Sequence, residues 1–120
     1  MQICDIKAHP AIVVVIQQEV LVGNDIEVIV RDVLPKARIV LAKTLHDALD
    51  NLPEGRIEVA LVQVDPAKVA ASTLGQRVAA DGGRVVVLCA EESGRLPQGW
   101  KALPYPFASA DLANLLSDLS

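Results

Sequence analysis

Residues 57–66 read Ile57-Glu58-Val59-Ala60-Leu61-Val62-Gln63-Val64-Asp65-Pro66. The run through Val64 is largely aliphatic, the signature of a strand covered on both faces rather than on one. Asp65-Pro66 then supplies a side-chain acceptor for a helix N-terminus, followed by proline at the first helical position. A buried strand that feeds directly into a helix is half of a βαβ unit.

The same alternation extends in both directions. Upstream, Pro53-Glu54-Gly55 is a turn, and Thr44-Leu45-His46-Asp47 resembles a capping box that opens a short helix to about Asn51. Arg38–Ala42 reads as the second strand and Ala11–Ile16 as the first. Between them lies a helical stretch within Val20–Leu34, closed by Pro35, because proline rarely continues a helix. Downstream, one helix is expected from Asp65-Pro66 to about Ala80, ending on the Gly82-Gly83 C-cap signal. Arg84–Ala90 is the fourth strand, and Lys101–Leu103 makes a short fifth. Ser109 caps a last helix with Leu112, Leu115, Leu116 and Leu119 on one stripe. Crossovers of this kind predict an α/β, doubly wound, five-stranded parallel sheet of order 2-1-3-4-5, flavodoxin-like. The helix between the fourth and fifth strands should be short or absent, because Glu91–Gly99 is rich in Ser, Gly and Pro.

Composition agrees with one domain over residues 1–120, of which 1–10 form an N-terminal extension. Apolar residues make up 52%, with one Trp, one Tyr and one Phe, so the core must be built from Val, Leu, Ile and Ala. The net charge of −4 and the lack of a basic cluster argue against nucleic-acid binding. The aliphatic runs are far too short for a membrane span. The N-terminus holds an acid and a proline and no hydrophobic signal core, and Cys4 and Cys89 make no disulfide framework, so a cytoplasmic setting is expected.

In such sheets ligand chemistry gathers beyond the carboxyl ends of the strands. There the segments VVIQQEVLV, IEVALVQVDP, VVVLCA and LPYPF, in this order, resemble the strand exits of the response-regulator receiver (CheY-like) domain family. The resemblance runs from about residue 10 to the end. It implies that Gln17 and Gln18 stand where the family carries its acidic pair and Gln63 where it carries the phosphoacceptor aspartate. Cys89 takes the place of the Thr or Ser hydroxyl and Tyr105 that of the lysine, whereas Ala90, Pro106 and Phe107 keep the family's residues. Phosphoryl transfer to such a site needs a carboxylate nucleophile, a Mg²⁺ held by carboxylates, and positive charge for the transferring oxygens. The substitutions remove all three, so no catalytic residue, metal or cofactor is expected. Clustered carboxylates without a metal repel by about 4 kcal/mol per pair at ~4 Å and an effective dielectric near 20. Three amides can instead bond one another, and Gln17, Gln18 and Gln63 are expected to form a hydrogen-bonded cluster.

The remaining chemistry-bearing residues have structural readings. Asp65 is an N-cap rather than a displaced phosphoacceptor, Glu19 a solvated acid, Cys89 a buried small residue, and His9 and His46 surface histidines. Gly82-Gly83 lies at the amino edge of the sheet, the wrong end for phosphate, and Ser93-Gly94-Arg95 is only a loop with one arginine. QQEVLVGND after the first strand is no Gly-rich phosphate loop, so an enzyme is not expected. The first helix holds more aliphatics than one core stripe needs. Val20, Leu21, Val28 and Val30 of the first helix, and Trp100 on the side of the fourth and fifth strands, are the candidate interaction surface. The expected function is that of a pseudo-receiver, a non-phosphorylatable interaction module of bacterial signal transduction with a signalling-protein partner and a tendency to homodimerise. The alternative is a ligand-sensing pseudo-receiver with a neutral pocket near Cys89, Trp100 and Tyr105.

Overall fold

The computed structural model describes residues 11–89, 100–104 and 108–119. Five parallel strands are present: β1 (Ile12–Ile16), β2 (Arg38–Ala42), β3 (Ile57–Val62), β4 (Arg84–Cys89) and β5 (Lys101–Pro104). They assemble in the order β2-β1-β3-β4-β5. Helices α1 (Val20–Val33), α2 (Leu45–Asp50), α3 (Pro66–Ala70), α4 (Thr73–Asp81) and α5 (Ser109–Leu119) complete the described elements. The expected doubly wound, flavodoxin-like topology is therefore present. The segment between β4 and β5, where a short or absent helix was expected, lies outside the described residues, as do residues 1–10.

Side chains leave a strand alternately to its two faces, and β1 shows the consequence. Ile12, Val14 and Ile16 join a core with Ala48 of α2, Val69 of α3, and Leu74 and Val78 of α4. Val13 and Val15 join another with Ile26 and Val30 of α1 and Leu112 and Leu116 of α5. A run such as IVVVI is aliphatic throughout because both faces are covered.

β3 needs a correction of register to achieve this. Ile12 pairs with Ile57 but Val13 pairs with Val59, so Glu58 is an extra residue, a bulge. The bulge sets the half-buried Glu58, the polar residue of the strand, out of the pairing, where Arg56 approaches its carboxylate at 3.5 Å. It also turns Val59 and Leu61 to the α1–α5 face and Ala60 and Val62 to the other.

The single helix expected from Pro66 to about Ala80 is two helices. Asp65 caps α3 as expected, its Oδ1 accepting from the Ala67 N–H at 3.0 Å. The break falls at Ser72, whose backbone is extended at φ −91° and ψ 166°. Its hydroxyl donates to the Val69 carbonyl at 2.6 Å and accepts from the Gly75 N–H at 3.2 Å. A serine that offers these local bonds competes with the helical ladder and starts a new helix instead. Gly75 permits the corner, since a β-carbon there would collide with the Val69 carbonyl oxygen. Among the described residues no helix is long and apolar enough to cross a membrane.

Candidate functional site

Parallel pairing fixes where the strand exits lie. The Gln17 N–H donates to the Ala42 carbonyl at 2.9 Å, and the Gln63 N–H donates to the Ile16 carbonyl at 2.9 Å. The ends of β2, β1 and β3 are thus locked side by side, with Gln17 and Gln63 at neighbouring exits. Cys89 ends β4 in register with Pro104 of β5. The Cys89 side chain, Ala90, Tyr105, Pro106 and Phe107 lie outside the described residues. So does the expected pocket between Cys89 and Tyr105, apart from Trp100, which packs half-buried against the α2–α4 side.

The hydrogen-bonded amide cluster is not formed among the described residues. Gln18 is exposed and Gln63 half-buried, and no bond joins either side chain to Gln17. Gln17 is the buried polar residue of the core, only 2% exposed. Its Oε1 accepts from the Glu19 N–H at 3.4 Å, and its Nε2 is buried with no partner. With its Oε1 turned to the Glu19 N–H, the orphaned atom is the donor end of the amide. Gln17 is buried with its Oε1 turned to the Glu19 N–H, whereas Gln18, the next residue, is exposed, so the amides do not share one environment.

On the β2 side of Gln17 the surface folds into a cleft of about 340 Å³. Val20, Leu41 and Ala42 line it with apolar surface, and Lys43 and Asp47 stand at it with opposite charges. Among the described residues the Lys43 ammonium and the Asp47 carboxylate each lack a hydrogen-bond or ion-pair partner. The Asp47 N–H is taken by the Thr44 hydroxyl at 3.1 Å, which is the expected cap of α2. Among the described residues no group of three His, Cys, Asp or Glu converges as metal ligands would. His46 lies on the surface facing Asp50 at 3.2 Å, and His9 is outside the described residues.

The candidate interaction residues divide. Leu21 is 80% exposed, Val28 67% and Val20 53%. Val30 is fully buried and is withdrawn from that surface. It follows Ile26 by four residues, so both fall on the stripe that faces the sheet. Leu41 belongs to the exposed set and was missed. It lies on the edge strand, with its Cδ1 towards the helix at Gly23; Arg38–Ala42 is aliphatic after its first residue and holds no alternation that signals an exposed leucine. No protein-family model matches the chain, and no curated protein matches it.

Proposed function

We propose that this chain is a pseudo-receiver, a non-phosphorylatable module that works by binding another signalling protein. The observation that supports this most is the pair of adjoining strand exits. The sheet order is that of a receiver, and the positions corresponding to its acids are occupied by Gln17 and Gln63, joined through the Gln63 N–H and the Ile16 carbonyl. Neutral amides are poor nucleophiles and poor Mg²⁺ ligands, so a site of this kind has no route to an aspartyl phosphate. Output then rests on a fixed surface. Val20, Leu21 and Leu41 expose apolar side chains at the start of α1 and on the neighbouring edge strand, and Val28 exposes another beside the groove between α1 and α5.

Incubation with acetyl phosphate and Mg²⁺, followed by intact-mass measurement, tests the reading. The mass is expected to stay unchanged, and a stable adduct of one phosphate overturns it. Millimolar Mg²⁺ is also expected to leave the melting temperature unchanged, because an ion stabilises a fold only through a site present in the folded state. A homodimer through α1 is the simplest use of an apolar surface on a small domain. Sedimentation at micromolar concentration should show it, and Leu21→Glu or Val28→Glu should dissociate it. A monomer throughout assigns the surface to a different protein.

A further inference from the structure

We infer that the cleft beside Gln17 binds a small zwitterion with an aliphatic side chain, of the α-amino acid class. One buried unpartnered donor, two exposed charges of opposite sign and one apolar wall define the ligand. The Gln17 Nε2 is a buried donor without an acceptor. Such a group costs free energy until a partner reaches it, which makes it a persistent demand for an oxygen ligand. Lys43 and Asp47 offer opposite charges at the same cleft, each without a partner among the described residues. A lone anion would be repelled by Asp47 and a lone cation by Lys43. A molecule that carries both charges meets both, its carboxylate against Lys43 and Gln17 and its ammonium against Asp47. Val20, Leu41 and Ala42 then receive a short aliphatic group, and about 340 Å³ is a volume on that scale.

Binding asks one movement of the protein. In this conformation the Nε2 is closed off from solvent, although Gln17 is among the residues that border the cleft. The amide is tethered by a single bond of 3.4 Å from the Glu19 N–H, beyond the usual range for such bonds. An entering carboxylate therefore competes for the amide against little. Lys43 and Asp47 are exposed, so their charges are screened and affinity in the millimolar range is expected. This site lies between β1, β2, α1 and α2, and it shares Val20 and Leu41 with the apolar surface proposed above for a partner.

Titration of the ¹⁵N-labelled protein with L-leucine, followed by amide NMR, tests the inference. Saturable movement of the Gln17 side-chain NH₂ signals is expected, together with the backbone signals of Val20, Leu41 and Lys43. Isocaproate and isoamylamine, which each carry one of the two charges, should bind about tenfold more weakly. Gln17→Leu should keep the dispersed spectrum and lose the response. Should that variant not fold, Lys43→Ala and Asp47→Ala, both at exposed positions, should each weaken binding severalfold. No saturable shift with millimolar leucine overturns the inference. So does equal binding of isocaproate, or unchanged binding in both charge variants.

Discussion

At the scale of single residues, two polar groups show how position decides energetic sign. The Asp81 carboxylate accepts from the N–H of the fully buried Ile57 at 2.9 Å, tying the end of α4 to the entry of β3. Asp81→Ala leaves that N–H without a partner and should cost about 1–3 kcal/mol, read from urea denaturation. Gln17 is the opposite case. Its Nε2 is already unpartnered, and the one bond its amide makes, from the Glu19 N–H, is long at 3.4 Å, so an apolar side chain of similar size removes more cost than it creates. Gln17→Leu should raise stability by about 1 kcal/mol at neutral pH in the absence of ligand. A loss of stability would mean that the Glu19 bond, or a partner the amide takes in solution, outweighs the orphaned donor. The sequence identified Gln17 as an amide at the end of β1 but assigned it to a cluster with Gln18 and Gln63. Pattern places a residue at a strand exit; it does not say whether two side chains on neighbouring exits reach each other.

At the scale of elements, the strands and caps were legible because their signals are local. Both-face burial writes continuous aliphatic runs, and Asp65, Thr44 and Gly82 act through bonds or backbone angles within a few residues, Gly82 in the left-handed region at φ +73°. What escaped depended on competition or on distance. The Ser72 break needs a hydroxyl to prevail over a helical ladder that Ala70 and Ala71 favour. The Glu58 bulge becomes visible only once β1 pairs with β3. Gly23 is another such position, buried within α1 and facing Leu41. A β-carbon there would lie 3.1 Å from the Leu41 Cδ1, which is tight, but that atom is the tip of a side chain on an exposed edge strand and can move aside. The gain of alanine over glycine inside a helix then prevails, and Gly23→Ala should stabilise by about 0.5–1 kcal/mol. The same substitution narrows the cleft. Gly83 behaves differently, because a β-carbon there meets the Ile57 carbonyl oxygen, which belongs to the backbone and cannot yield. Gly83→Ala should destabilise by about 1–3 kcal/mol, seen as a lower melting temperature.

At the scale of the whole molecule, the sheet separates two cores that share no helix. One is closed by α2, α3 and α4, the other by α1 and α5. Whether they melt together depends on β1 and β3, whose residues alternate between the two sides and are buried on both. Loss of packing on one face exposes one side of strands whose other side still holds the opposite core. Backbone pairing at the centre of a sheet cannot persist with one face in water and aliphatic residues at every paired position. The cores should therefore unfold as one unit. Leu112→Ala empties a buried site beneath α5, and Leu74→Ala does so beneath α4. Each should cost about 2–5 kcal/mol. Trp100, the single tryptophan, packs on the α2–α4 side, so its fluorescence reports that core while far-UV circular dichroism reports the helices of both. In urea the two signals should change at one midpoint in the wild type and in both variants. The informative case is Leu112→Ala, where the damage lies on the face away from the tryptophan. A fluorescence midpoint that stays at the wild-type position while the dichroism midpoint falls would mean that β1 and β3 do not couple the two faces.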